Sequence, residues 1–94
     1  MAQMAQAELD VKNAHGLHAR PAAVFVQTAS QFKSSIILRN LSRASKEVNA
    51  KSIMDVLTAG VDQGARIELV AEGEDAEDAV ATLTDLVRGG LEDS

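Results

Sequence analysis

In the stretch Asn13-Ala14-His15-Gly16-Leu17-His18-Ala19-Arg20-Pro21-Ala22, a strand-like segment runs through a glycine turn into a helix, and the rest of the chain reads as support for that junction. Arg20 and Pro21 stand at the expected helix start, where proline is tolerated because the first backbone N–H groups have no partner inside the helix. Those free donors suit an anion. His18, just ahead of them, would present its ring where a negative group attached to it meets both the helix N-terminus and the Arg20 guanidinium.

Upstream of this junction, Ala7, Leu9 and Val11 alternate with Glu8, Asp10 and Lys12, the period of a strand with one buried face. Residues 1–6 repeat Met-Ala-Gln and are expected to be a disordered extension, which places a single domain at residues 7–91 and a short tail at 92–94. Downstream, Ala22, Phe25, Val26, Ala29 and Phe32 fall at helical spacing and predict a helix of about three turns. Residues 35–39 are β-branched and short, a second strand with either Ile36 and Leu38 or else Ile37 turned inward. A polar turn at 40–44 leads to a weak strand at 45–49, where Val48 is strongly apolar, as suits a sheet edge.

Ile53, Met54, Val56 and Leu57 predict a short helix over residues 50–59 closed by Gly60. At least two of Ile53, Met54 and Leu57 are expected in the core, with Met54 the exposed one. After a turn at Asp62-Gln63-Gly64, the alternation of Ala65, Ile67, Leu69 and Ala71 marks the clearest strand, expected at the centre of the sheet. Glu74, Asp75, Glu77 and Asp78 bring negative charge to the first turn of a last helix, whose buried stripe is Ala76, Ala79, Val80, Leu83, Leu86 and Val87. Three amphipathic helices and four one-faced strands in the order βαββαβα are best buried as an open-faced two-layer sandwich with the helices on one face of the sheet, an α+β fold.

A chain of 94 residues builds one modest core, so its chemistry belongs at the surface. Nine Lys and Arg against fourteen Asp and Glu give a net charge of -5 without a basic run, which argues against a nucleic-acid partner. The absence of cysteine removes disulfides, thiolate metal sites and redox pairs, and fits the cytoplasm. No apolar run approaches the roughly 20 residues of a membrane span, and residues 1–7 lack the basic and apolar regions of a signal peptide. Neither membrane insertion nor export is expected. Gly16 breaks any helix that would align His15 with His18, so the pair is not read as a metal site, and the acidic cluster around Glu74 reads as a solvated helix start. A free-standing hydrolase or kinase would need a nucleotide-binding glycine loop or a second catalytic acid or base, and neither is evident; no cofactor is expected.

A neutral imidazole offers a lone pair near physiological pH, and the phosphoramidate it can form stays reactive enough to be passed on. A lone histidine at a helix start more commonly caps or packs than reacts, but here the neighbours reverse those odds. Gly16-Leu17-His18-Ala19-Arg20-Pro21-Ala22 resembles the active-site signature of the histidine-containing phosphocarrier (HPr) family of the phosphoenolpyruvate-dependent sugar phosphotransferase system. Farther along, Lys51-Ser52-Ile53-Met54 resembles the segment that carries the regulatory serine in HPr proteins of many Gram-positive bacteria. The resemblance covers residues 7–87.

It implies an antiparallel four-stranded sheet covered by three helices, and a transfer intermediate rather than a stand-alone catalyst; a carrier that must meet several partners works best as a monomer. By the same resemblance His18 is phosphorylated through Nδ1, takes its phosphoryl group from enzyme I and donates it to sugar-specific IIA components, with Arg20 as electrostatic partner. Ser52 would be the target of an HPr kinase/phosphorylase, and Ala22, Ile53, Met54 and Leu57 would dock partners. Read from the residues alone, Ser52 is equally a helix cap. The alternative function is a regulatory binding module of the same fold controlled by phosphorylation of Ser52. Two features depart from the common stand-alone form. The turn at 40–44 is longer, as in phosphocarrier domains fused within multiphosphoryl transfer proteins. Gln27 and Ser30 stand where many members carry lysines, so the docking surface is less basic.

Overall fold

The computed structural model describes residues 3–91. Its elements are β1 (Gln3–Asp10), α1 (Ala19–Ala29), β2 (Ser35–Asn40), β3 (Val48–Asn49), α2 (Ile53–Thr58), β4 (Arg66–Gly73) and α3 (Ala76–Arg88), the order expected from the hydrophobic pattern. The strands pair antiparallel in one sheet ordered β1-β4-β2-β3. The strand with the cleanest alternation, β4, lies between β1 and β2, and buries Ile67, Leu69 and Ala71 on one face. On β2 the ambiguity resolves in favour of Ile36 and Leu38, which are buried, while Ile37 turns to the other face beside Val70 of β4.

The inward sheet residues meet one apolar stripe from each long helix: Ala22, Phe25 and Ala29 of α1, and Ala76, Ala79, Val80, Leu83 and Val87 of α3. Spacing of three and four residues puts each set on a single helix face. The opposite sheet face keeps Gln6, Glu8 and Glu68 toward water, which completes the open-faced sandwich.

Three boundaries differ from the expectation. Strand β1 begins at Gln3, not Ala7: residues 3–6, expected to fray, pair with residues 70–73 because β4 is long enough to supply partners to its end. The remainder of that extension, Met1 and Ala2, and the expected 92–94 tail lie outside the described residues. Strand β3 is reduced to Val48–Asn49 because Ser45 is spent on closing the turn, where its N–H donates to Asn40 O over 3.1 Å and its hydroxyl accepts from Asn40 N at 2.8 Å. Helix α2 is shorter than the expected 50–59, since residues 49–52 form a turn in which Ser52 N donates to Asn49 O at 3.1 Å.

One contact ties the α1–β2 connection to the start of α3. The Asp75 carboxylate accepts from the N–H groups of Lys33 and Ser34, each at 2.9 Å, and from the Ser34 hydroxyl. The Ser34 hydroxyl, followed by these backbone donors, lowers the Asp75 pKa from 3.8 to about 2. A carboxyl held below its unfolded value contributes stability that is complete above that value and is lost as pH falls through the folded one. An Asp75→Asn variant is therefore expected to melt below the wild type at neutral pH, with the gap closing as pH falls from 3.8 toward about 2. Parallel thermal melts across that window check it, and a gap independent of pH would count against the ionised contact.

Candidate functional site

The junction quoted first is built by a loop that hangs on another loop. Gly16 has φ +59, and a Cβ placed on it would lie 2.2 Å from Val61 O, so the chain passes Val61 at a distance only glycine permits. Asn13 Nδ2 closes the turn by donating to Gly16 O at 2.8 Å. Leu17 is fully buried, and its N–H donates to Val61 O at 2.9 Å. With Leu17 anchored on both its side chain and its backbone, the next residue has one direction to take.

That residue is His18, the N-cap of α1, in extended conformation (φ -127, ψ 163) and without a side-chain capping bond. Its ring reaches across to the α2–β4 loop, where Nε2 lies 2.8 Å from Asp62 Oδ1. An ionised carboxylate only accepts, so the ring N–H on Nε2 is the donor. Among the described residues Nδ1 has no protein partner. The ring is half-buried, with 38% of its side-chain surface exposed, enough for another protein to reach it.

Ala19 then turns the chain into the helix at φ +51, a left-handed conformation that a residue with a Cβ rarely adopts; here it occurs next to the His18 ring. Pro21 is buried in the first turn, and the first helical bond runs from Ala22 N to His18 O at 3.4 Å. The N–H groups of Ala19 and Arg20 precede that bond and point out of the helix end. Arg20 is exposed and has no ion pair or hydrogen bond with the described residues, so its guanidinium is available to an incoming anion.

Ser52 caps α2, its hydroxyl accepting from Asp55 N at 3.3 Å, so the capping role read from the residues is present. Behind it, Ile53, Met54 and Leu57 are exposed by 39%, 68% and 38%, and Val56 is the residue of α2 that is buried. The expectation that two of the three enter the core fails because the helix has only six residues. Val56 and the flanking Ala50 and Ala59 supply its inward contacts. Ala22, expected to dock partners, is fully buried on the inner face of α1 and cannot present a contact surface.

Two residues that position the site carry no local signal. Asp62 reads in sequence as one letter of a turn, 44 positions from the ring it contacts. Asn40 reads as a polar turn residue, yet it is fully buried, and its Nδ2 donates to Ala59 O at 3.0 Å and Gly60 O at 3.2 Å. This fastens the end of α2 to the end of β2, two residues before Asp62.

Comparison with known proteins places the chain in a family and matches its fold. A family model described as the PTS HPr component phosphorylation site matches residues 5–89. A multiphosphoryl transfer protein of Haemophilus influenzae is 47% identical over 81 residues, which are 86% of this chain and 16% of that protein. The chain thus spans under a fifth of that relative's length. Among solved structures, HPr-C-His from Thermoanaerobacter tengcongensis is 46% identical with a TM-score of 0.89, the match covering 96% of this chain and 98% of that one. The Bacillus subtilis catabolite repression protein Crh, solved as a swapped dimer, is 40% identical with a TM-score of 0.70, over 87% of this chain and 91% of that one.

Proposed function

Because the chain belongs to the HPr family of phosphotransferase-system components, we propose that His18 accepts a phosphoryl group on Nδ1 from phospho-enzyme I and passes it to sugar-specific IIA components. The observation that carries this reading is the occupation of Nε2 by Asp62, which leaves the lone pair of the neutral ring on Nδ1. That pair attacks phosphorus as the bond from phosphorus to the donor breaks, and the electrons of the broken bond stay with the donor. Arg20 and the N–H groups of Ala19 and Arg20 offset the phosphoryl charge without enclosing it. An open site suits a carrier, since a group held too firmly would not be given up.

Incubation with phosphoenolpyruvate and enzyme I tests the proposal by intact mass and phosphorus NMR. A single acid-labile phosphoryl group on a ring nitrogen is the expected product. No incorporation, with several sources of enzyme I tried, would favour the second reading, a regulatory binding module controlled through Ser52.

The observation behind that second reading is the position of Ser52, half-buried at the start of α2 beside exposed Ile53 and Met54. We assign partner docking to the apolar surface of Ile53, Met54 and Leu57, and phosphorylation of Ser52 by an HPr kinase/phosphorylase to its control. A phosphate there adds roughly two negative charges at the edge of that surface. Ser52→Asp separates charge from folding, because aspartate caps a helix as well as serine does. The variant is expected to keep the wild-type melting temperature and to accept phosphoryl groups about tenfold more slowly from enzyme I. Equal uptake rates for the two proteins would remove the regulatory role.

No described helix is long and apolar enough to cross a membrane. We place the carrier in the cytoplasm, which the absence of cysteine fits. We take it to act as a monomer, the state that suits a carrier meeting several partners in turn.

A further inference from the structure

We infer that Asp62 is a positioning residue for phosphoryl acceptance: its carboxylate holds the His18 ring with the proton on Nε2 and Nδ1 outward. The inference deepens the carrier reading and rests on it.

An ion pair between exposed side chains contributes little by default, because two mobile groups must be held together in water. The pair here differs in how both partners are delivered. The backbone of the histidine loop is bonded to the residue just before Asp62, through Leu17 N and Val61 O at 2.9 Å. Upstream of Asp62, Asn40 grips the carbonyls of Ala59 and Gly60 at 3.0 and 3.2 Å. Downstream, Ala65 N donates to Asp62 O at 3.0 Å and Gly64 N donates to Val11 O at 2.6 Å. The carboxylate therefore sits on a loop fixed on both sides, opposite a ring whose own loop is tied to the same place. Few torsions remain to be ordered, as aspartate and histidine each have two.

The consequence for the reaction lies in the proton count. A neutral ring with its proton on Nδ1 has no lone pair there and cannot attack phosphorus from that nitrogen. With the proton on Nε2, the Nδ1–P bond forms while the ring keeps its N–H and takes on positive charge, and no proton has to leave. The carboxylate that selected the reactive tautomer then stands opposite the N–H that shares this charge. Arg20 answers the phosphoryl group and Asp62 answers the ring.

The test uses the full chain with 15N-labelled histidine, at an alkaline pH where the rings are neutral. The ratio of His18 tautomers is read from the ring nitrogen shifts, and the rate of phosphoryl uptake from enzyme I is measured on the same proteins. Asp62→Ala is expected to shift the ratio toward the Nδ1–H form by up to about fivefold and to slow uptake by a comparable factor. Its melting temperature should fall by no more than about 4 °C, since the Asp62 side chain is 75% exposed. Asp85→Ala removes the same charge from an exposed position on α3 and should move neither readout. An unchanged tautomer ratio in Asp62→Ala overturns the inference, as does a shifted ratio with unchanged uptake. Wild-type protein that takes up no phosphoryl group fails the carrier reading itself, a pattern distinct from both.

Discussion

His18→Ala abolishes phosphoryl uptake from phosphoenolpyruvate and enzyme I while the fold survives: this is the expected result for the substitution with the largest effect on activity. The loss is complete because the acceptor atom itself is removed and no neighbouring side chain can stand in for it. Survival of the fold follows from the cap. His18 begins α1 without a side-chain hydrogen bond to the helix, so alanine forfeits no capping interaction there. What is lost is an exposed contact to Asp62 and part of a half-buried ring, worth about 0.5 kcal/mol, which moves the melting temperature of a small domain by no more than about 4 °C. Intact mass and thermal melts read both halves of this expectation. The chain has two histidines, so His15→Ala is the natural companion and should take up phosphoryl groups like the wild type. Uptake by the His18 variant with loss in the His15 variant would move the acceptor three residues upstream.

Gly16→Ala is expected to have the largest effect on stability of any one-carbon change near the site. Two costs combine. The residue sits at φ +59, where a side chain costs about 1–2 kcal/mol. The added carbon also meets backbone on the opposite loop, at 2.2 Å from Val61 O, 2.8 Å from Asp62 Cα and 2.9 Å from Asp62 C. None of these atoms is the end of a flexible side chain, so the two loops must separate, at about 1–3 kcal/mol more. A total of about 2–5 kcal/mol is a large share of the roughly 5–15 kcal/mol that holds a small domain together. Separation also pulls Leu17 N from Val61 O and the His18 ring from Asp62, so uptake should fall with stability. Gly64→Ala isolates the first cost, because Gly64 also has positive φ, +89, but an added carbon there meets nothing within 4 Å. Urea unfolding of both variants decides the matter. If Gly16→Ala unfolds at the same midpoint as Gly64→Ala, the loops are not in the close contact described.

What the sequence reveals of this molecule divides along a physical line. Periodic patterns report which side of an element is buried, so β4, α1 and α3 are readable from Ile67 and Leu69, Phe25 and Ala29, Leu83 and Val87. The histidine loop is readable for another reason: its signature is packed into seven consecutive residues, from the turn glycine to the helix. The order of elements follows from the same patterns. Register and extent do not, because they depend on what a neighbouring strand offers. Gln3 joins a strand because Gly73 is there to pair with it. Ser45 leaves one because Asn40 claims its hydroxyl and its N–H. Ile53 and Leu57 look like core residues until α2 proves too short to turn them inward. Asp62 and Asn40 are the extreme case, since a single polar contact between distant loops leaves no periodic trace. An acid in a turn and an asparagine in a turn are the commonest of sights.

The seating of the Gly16–His18 loop on Val61 and Asp62 bears on what a functional motif is. A synthetic peptide of residues 13–22 contains every letter of the signature, with the imidazole, the guanidinium and the proline in place. It contains none of the second loop, so it has neither the carbonyl that holds Leu17 nor the carboxylate that faces the ring. Transplanted alone into another scaffold, the signature would be a label without its instrument. The unit that can be moved is the whole domain, because two distant parts of the chain must be folded together before the histidine has anywhere to sit.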